Sequence, residues 1–207
     1  MTDWVNQAFF DDVRAKLFSG RLKQAQVEGM NVIVRECVAQ GLSLQQVGYV
    51  LATAYHETAH TMQPISEYGR GAKYDYGHWK INSKGERYCF RDSSRKTVYT
   101  YSECPHLFYG RGYVQLTWQG NYAKAGDKLD LDLVANPNLA NQADIAAKIL
   151  CVGMKEGWFT GKKLCDYIND SACDYVGARR IVNGVDKALL IAGYARVFEI
   201  ALRNKNE

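Results

Sequence analysis

Hydrophobic residues recur at helical spacing along most of the chain. In one stretch Val27, Met30, Val34 and Val38 fall on one face of a helix, and Gly41 follows as a stop signal. The same spacing predicts further helices over residues 9–17, 44–60, 121–129, 143–155, 174–182 and 187–203. We therefore expect a mainly α-helical fold.

Residues 64–110 have a different composition. They are rich in Gly, Tyr, Ser, Lys and Arg, contain few aliphatic residues and show no long periodicity. This pattern favours loops and short strands. We expect a single domain over residues 1–207 with a smaller, loop-rich lobe at roughly 64–110. After this stretch, Asn141 is the expected cap of the helix over 143–155.

The helix over 44–60 carries the most informative segment. Ser43 and Gln46 fit a capping box at its start. On a helical wheel Glu57 lies at the flank of an apolar face, which comprises Val47, Val50, Leu51, Ala54 and Thr58. Partial burial disfavours the charged form of a carboxylate, as a general acid requires. An exposed glutamate, or one paired with an arginine, is the alternative interpretation.

The same segment contains a possible zinc motif. His56, Glu57 and His60 spell H-E-x-x-H. In this motif both histidines bind metal from one helical face and the glutamate activates water. On the predicted helix His56 and His60 share the face opposite the apolar one. The longer metzincin pattern fails, because Gln63 and Ser66 stand where Gly and His are required. We expect two solvated surface histidines and no metal, with a zinc peptidase as an alternative.

A second segment, residues 109–122, reads YGRGYVQLTWQGNY. Its glycines are too few for a phosphate-binding loop. In an extended strand, the polar residues of this segment would form one row and the apolar residues another. The polar row would contain Tyr113, Gln115 and Thr117, and the apolar row Val114, Leu116 and Trp118. Such a polar row could bind sugar hydroxyls, and an ordinary half-buried strand is the alternative.

Composition fits an ordinary globular protein. Of 207 residues, 47% are hydrophobic and 23% are charged, which excludes disordered and low-complexity classes. No apolar run approaches the roughly 20 residues of a membrane helix. The start of the chain is acidic where a secretory signal would be basic. We therefore expect neither membrane insertion nor a signal peptide.

The net charge bears on which kinds of polymer the protein could bind. A net charge of +4 suits an anionic polymer, although basic residues such as the pair Arg179 and Arg180 are scattered as on any solvated surface. No nucleic-acid-binding motif occurs, so nucleic acid is not expected as a partner.

The six cysteines include no CxxC pair and are expected to be mostly reduced. Two of them, Cys37 and Cys151, fall in apolar helical patterns and should lie in the core. The pair to test for a disulfide is Cys89 and Cys104.

Three segments together resemble the family 19 glycoside hydrolases, which include plant-type chitinases and lysozyme-like bacteriophage endolysins. They are AYHETA at 54–59, YGRGYVQLTW at 109–118 and RIVNG at 180–184. The resemblance implies a lysozyme-like, two-lobed α+β fold with a deep substrate cleft. It also implies an inverting mechanism, in which one carboxylic acid protonates the leaving oxygen and a second carboxylate activates water.

The resemblance also assigns roles to individual residues. Glu57 matches the general acid. Glu67 matches the general base of the shorter lysozyme-like members, and Glu86 is the alternative base. Thr117 matches a residue that helps to hold the water. Sugar-binding positions are matched by Gln115, Asn121, Tyr122 and Asn183.

Departures from the plant pattern bear on the substrate. Gly120 stands where plant chitinases often carry a tyrosine, a late arginine is replaced near Leu190, and the long plant loops are absent. We therefore predict a peptidoglycan endolysin that hydrolyses the β-1,4 bond between N-acetylmuramic acid and N-acetylglucosamine, with chitinase activity as the alternative. It would act as a monomer without a cofactor and would reach the wall by holin-type release. A non-catalytic carbohydrate-binding protein is a further hypothesis.

Overall fold

A computed structural model of the protein describes residues 4–70, 80–90, 98–100 and 108–204. Within these residues the structure is mainly α-helical, as the periodicity predicts. The helices are α1 (Gln7–Lys16), α2 (Gln24–Ala39), α3 (Leu44–Glu57), α4 (Gln119–Leu129), α5 (Ala143–Glu156) and α6 (Ala188–Arg203). Short 3-10 helices cover Pro137–Asn141, Leu164–Asp166 and Gly177–Ile181.

Helix α3 is the central element of the core. The Ser43 hydroxyl accepts the Gln46 N–H and the Gln46 side chain accepts the Ser43 N–H, so the predicted capping box is present. Every residue from Val47 to Tyr55 is buried, because α6 packs along α3 while α2 and α5 also contact it. The predicted apolar face is confirmed, and burial extends around the whole helix.

A second contact layer joins α2 to α5, and α1 packs on α6. The rings of Phe9 and Phe198 stack between α1 and α6, with centroids 6.5 Å apart. Cys37 and Cys151 are both fully buried between α2 and α5, which confirms their predicted core positions. No helix among the described residues is both long and apolar enough to cross a membrane.

Three small antiparallel sheets accompany the helices in the described part of the chain. Strands β1 (Ile65–Ser66) and β5 (Arg111–Gly112) pair with Ile65 opposite Gly112. Strands β2 (Lys80–Ile81), β3 (Arg87–Phe90) and β4 (Val98–Thr100) form a meander. Strands β6 (Ile168–Asn169) and β7 (Ala172–Cys173) form a hairpin. The stretch predicted to be loop-rich thus contains short strands.

One predicted helix and one predicted helix cap need correction. The helix predicted over 174–182 is a short 3-10 turn at Gly177–Ile181, because the Asp174 carboxylate accepts the Gly177 N–H at 2.8 Å and holds a local turn there. Asn141 does not cap α5. Its side chain accepts the Gly112 N–H and donates to the Ser66 hydroxyl, so it braces the β1–β5 pair instead.

Candidate active site

Glu57 is the last residue of α3, and its side chain is 18% exposed. Its carboxylate Oε1 accepts a hydrogen bond from Arg179 Nη1 at 2.6 Å. The predicted partial burial is therefore present, and so is the arginine pairing that stood as the alternative. A charge-assisted bond of this length fixes the carboxylate direction.

Arg179 is a site residue that sequence reasoning missed. It lies in the 3-10 helix before α6 and its side chain is only 2% exposed. Its Nε donates to the Asp186 carbonyl oxygen at 2.9 Å, while Nη1 bonds Glu57. A buried guanidinium stays charged and therefore needs such acceptors. The resembling RIVNG segment begins one position later, at Arg180, which is exposed.

His56 precedes Glu57 and is half-buried. Burial lowers the pKa of its imidazole below the usual 6.5; Arg179 lowers it further, while Glu57 and Asp186 act in the opposite direction. The net lowering keeps the imidazole uncharged at neutral pH. The neighbour of the Glu57–Arg179 pair is thus a neutral, polar ring.

Helix α3 ends at Glu57 and not near His60 as predicted. The buried Thr58 hydroxyl donates to the Ala54 carbonyl oxygen at 2.7 Å and accepts the Met62 N–H at 3.1 Å. Beyond it Ala59, His60 and Met62 all adopt positive φ angles of 48–68°. A chain in this left-handed region cannot continue a right-handed helix.

This ending separates the two histidines of the H-E-x-x-H segment. His56 lies in the last turn of α3, whereas His60 lies beyond the helix, exposed and stacked on the Tyr55 ring at 4.0 Å. The expectation that both histidines share one helical face is therefore wrong. Among the residues that the structure describes, no group of three or more His, Cys, Asp or Glu side chains could hold a metal.

The turn after α3 is fastened to α2. Gln26 Nε2 donates to the His60 carbonyl oxygen at 2.9 Å, and Gln63 Nε2 donates to the Ala25 carbonyl oxygen at 2.5 Å. Gly29 of α2 faces the Met62 carbonyl so closely that a Cβ there would overlap the oxygen. Residues 58–63, which lead from Glu57 toward β1, are thus fastened to α2.

Glu67 follows β1 and is half-buried. Its N–H donates to the Gly110 carbonyl oxygen at 2.7 Å, and the Gly110 N–H donates to Glu67 Oε2 at 3.0 Å. The pairing of β1 with β5 brings these two segments together. One carboxylate oxygen is therefore held by a backbone donor.

Glu86 has a local structural role. Asn82 Nδ2 donates to its Oε2 at 2.7 Å, and its own N–H donates to Asn82 Oδ1 at 2.9 Å. Both contacts lie within the exposed turn between β2 and β3. This environment favours Glu67 over Glu86 as the second carboxylate.

The segment 113–118 is a tight turn and not the predicted strand. The N–H groups of Arg111 and Leu116 each donate to the other residue's carbonyl, and Gln115 and Trp118 have positive φ angles of 53° and 69°. The alternation of polar and apolar rows is therefore lost. Tyr113, expected in the polar row, is fully buried.

Gln115 and Thr117 lie in this turn and are half-buried. Gln115 Nε2 donates to the Ile65 carbonyl oxygen at 3.1 Å, which ties the turn to β1. The Thr117 carbonyl accepts Asn121 Nδ2 at 2.8 Å, and Asn121 is exposed at the start of α4. Sugar and water contacts of these residues stay predictions.

Tyr122 lies behind the turn instead of in a sugar-binding position. Its side chain is fully buried, its hydroxyl donates to the Tyr109 carbonyl at 2.8 Å, and it accepts Arg111 Nη1 at 3.0 Å. Burial raises its pKa to about 12, partly offset by Arg111. The guanidinium of Arg111 also covers the Tyr109 ring at 3.6 Å. We therefore assign Tyr122 to packing, where its hydroxyl is already occupied.

The candidate site residues, both predicted and newly found, form two groups. Glu57, His56 and Arg179 make one, and Asn183 adjoins it because its N–H donates to the Arg179 carbonyl at 3.0 Å. Glu67 and Gln115 belong to the other, around the β1–β5 pair. The expected deep cleft between lobes stays a prediction. Cys104 and the Cys89 side chain lie outside the described residues, so the disulfide suggested for this pair stays a prediction.

The chain matches known proteins in sequence over its central part. The model of the glycoside hydrolase 19 family, described as chitinase class I, matches residues 41–161. Chitinase 8 of Oryza sativa subsp. japonica is 46% identical over 54 residues, which cover 26% of this chain and 18% of that protein. The chain thus spans less than a fifth of the curated relative. Arg179 and α6 lie beyond the family match.

Solved structures match over nearly the whole chain. Chitinase C from Streptomyces griseus HUT6037 superposes with a TM-score of 0.61 at 20% identity, covering 98% of this chain and 78% of that one. The class IV family 19 chitinase from Zea mays gives a TM-score of 0.50 at 20% identity, covering 99% and 95%. At this identity the likeness shows a shared fold, and it agrees with the predicted lysozyme-like class. Because the family match covers more than half of the sequence, the chain belongs to glycoside hydrolase family 19.

Proposed function

We propose that the protein is a glycoside hydrolase that cleaves β-1,4 bonds between N-acetylated amino sugars, with chitin as its substrate. Membership of family 19 supports the reaction type, and the matching relatives from Oryza sativa are named chitinases. These names favour chitin over the peptidoglycan predicted from the sequence. The observation that carries the proposal is the Glu57–Arg179 ion pair at the end of α3.

Glu57 serves as the general acid. In its protonated form it donates a proton to the glycosidic oxygen as the bond to the sugar breaks. The carboxylate that remains is then stabilised by Arg179, whose guanidinium already lies 2.6 Å from Glu57 Oε1. Because Arg179 is buried and bonded to the Asp186 carbonyl, it needs no rearrangement during the proton transfer.

Glu67 serves as the general base. Its carboxylate takes a proton from a water that attacks the anomeric carbon from the face opposite the leaving group, so the configuration inverts. The Gly110 N–H holds Oε2 at 3.0 Å, which orients the carboxylate and leaves Oε1 for the water. The carbonyl of Ile65 accepts Gln115, so the turn at 113–118 supports the strand that precedes Glu67.

Peptidoglycan is the second candidate substrate. A net charge of +4 favours an anionic wall polymer, and Gly120 departs from the plant chitinase pattern named above. In that case the endolysin prediction, including holin-type release to the wall, would apply. The two substrates share the β-1,4 bond and call for the same pair of carboxylates.

The test measures release of reducing ends from purified chitin and peptidoglycan in parallel, with wild type and Glu57→Gln. The proposal is supported if wild type releases reducing ends from chitin and Glu57→Gln does not. NMR of the first product should show the α-anomer, because the mechanism inverts the configuration. Release from peptidoglycan alone transfers the reaction to the second substrate. Release from neither polymer, by a protein that binds both, would overturn the hydrolase proposal.

A further inference from the structure

Two buried thiols lie side by side in the core, apart from the residues of the proposed reaction. Cys37 Sγ on α2 and Cys151 Sγ on α5 are 3.3 Å apart, although 114 positions separate the residues. Both side chains are fully buried. The Cys151 thiol also lies 3.9 Å from the Ile33 carbonyl oxygen. The pair therefore bridges two helices from distant parts of the chain.

We propose that Cys37 and Cys151 form a disulfide that joins α2 to α5 when the folding chain meets a small-molecule disulfide such as oxidised glutathione. The thiolate of one cysteine attacks a glutathione sulfur, breaks the S–S bond of the oxidant and releases one glutathione. The second cysteine then attacks the protein sulfur of this mixed disulfide and releases the other glutathione. One S–S bond forms in the protein, one breaks in the oxidant, and the two thiol protons pass to the two glutathiones.

The geometry requires little movement. An S–S bond measures about 2.04 Å, so the sulfur atoms must approach by roughly 1.3 Å from their separation of 3.3 Å. Helices α2 and α5 pack directly on each other, and a shift of this size can be shared between side-chain rotation and helix movement. Cys165 and Cys173 are free thiols in the structure, as Cys37 and Cys151 are, and they differ from this pair in being exposed.

Burial sets the conditions under which the bond forms. It raises the pKa of the Cys151 thiol, and the hydrogen bond to Cys37 raises it further, so the reactive thiolate is scarce in the folded protein. An oxidant also has no direct path to fully buried sulfur atoms. We therefore expect oxidation during folding or after local opening of α2. The same burial protects the finished bond from reductants.

The bond would stabilise the neighbourhood of the proposed active site. Helix α2 carries Gln26 and Gly29, which hold the turn between Glu57 and β1. A bond that closes a loop of more than 100 residues restricts the unfolded chain strongly. For a protein of this size we expect the melting temperature of the oxidised form to rise by about 5–10 °C.

The test uses a variant in which Cys89, Cys104, Cys165 and Cys173 are replaced by serine. It is unfolded, refolded with either oxidised glutathione or dithiothreitol, alkylated and mapped by mass spectrometry, and its melting temperature is measured. We expect a linked Cys37–Cys151 peptide and the higher melting temperature only after oxidative refolding. The matched control adds Cys151→Ala and should show no difference between the two treatments.

Two results would overturn the proposal. One is full alkylation of Cys37 and Cys151, or glutathione adducts alone, after oxidative refolding. The other is a linked peptide whose melting temperature does not exceed that of the reduced form. Should the serine variant fail to fold, wild-type protein refolded with oxidised glutathione is mapped in the same way. Pairing of either Cys37 or Cys151 with any other cysteine would then contradict the assignment.

Discussion

The Arg179 guanidinium donates to the Glu57 carboxylate at 2.6 Å across 122 positions of the chain. The two side chains differ in exposure, at 2% for Arg179 and 18% for Glu57. The guanidinium is therefore enclosed by protein, while the carboxylate is the member of the pair that is partly open to solvent. This asymmetry suits an acid with a fixed counter-ion behind it.

Replacement of Glu57 should separate activity from stability. Glu57→Gln keeps an acceptor oxygen for Arg179 and loses the transferable proton, so we expect the rate of hydrolysis to fall by about 10²–10⁴-fold with a stability loss of roughly 1 kcal/mol. Glu57→Ala leaves the buried guanidinium without its carboxylate and should cost about 2–4 kcal/mol. Urea unfolding and reducing-end assays measure both. Retention of more than about one per cent of the rate by Glu57→Gln would contradict its role as the acid.

The two candidate bases can be distinguished by matched amide variants. Glu67→Gln preserves an acceptor for the Gly110 N–H but cannot take a proton, and we expect a loss of about 10²-fold or more. Glu86→Gln alters only an exposed turn and should keep nearly full activity. Steady-state kinetics of both variants decide the assignment. A damaging Glu86→Gln beside an active Glu67→Gln would reverse it.

Metal removal should leave activity unchanged, because His56 and His60 do not share a helical face. We expect equal rates with and without EDTA. His60→Ala should also keep its activity, while loss of the ring stacked on Tyr55 lowers stability by about 0.5–1.5 kcal/mol. Thermal unfolding and kinetics of the variant test both parts. Loss of activity in EDTA, restored by zinc, would return the zinc peptidase to consideration.

His56 should make stability depend on pH. Burial lowers its pKa in the folded state below 6.5, so the unfolded chain binds the proton first as the pH falls. The free energy of unfolding should therefore decrease from about pH 6.5 downward, until the lowered pKa is passed. Melting temperatures between about pH 7 and pH 5 should fall more steeply in wild type than in His56→Gln. Parallel curves for the two proteins would show that His56 does not contribute.

The fastening of the turn to α2 can be tested at Gly29. A methyl group there would overlap the Met62 carbonyl oxygen, and because backbone must move to admit it, we expect Gly29→Ala to cost about 3 kcal/mol. Gly193 of α6 is the matched control, since a Cβ there meets nothing within 4 Å. Gly193→Ala should stabilise by about 0.5–1 kcal/mol. Equal stability of the two variants would mean that the backbone at Met62 can move away from α2 at little cost in free energy.

Hydrophobic periodicity predicted most of the helices because each has one face turned to a shared core. It failed at the end of α3, where Ala59 and His60 adopt positive φ angles although neither is a glycine. The conformation there is imposed by the Thr58 hydroxyl within the turn and by contacts with α2, which is distant in sequence. The turn at 113–118 was not predicted for a different reason, because its alternation of residue types equally suits a strand.

The candidate site was accessible from sequence only in part. A helical wheel places Glu57 at the edge of the core, and the family resemblance selects Glu67. Arg179 was not predicted as a site residue, because a pair of adjacent arginines ordinarily indicates a solvated surface. Only the structure, in which Arg179 is buried and bonded to Glu57 while Arg180 is exposed, shows that one guanidinium points inward and its neighbour outward.

The packing of α6 on α3 also bears on how the protein is made. A ribosome releases α3 long before α6, so for an interval the nascent chain carries an apolar helix without its principal cover. Contacts between such distant segments slow folding and expose aggregation-prone surface. Because Arg179 lies 122 positions after Glu57, the carboxylate acquires its counter-ion only after that later segment has been made. Nascent chains that have not yet reached Arg179 are thus expected to lack the proposed hydrolytic activity.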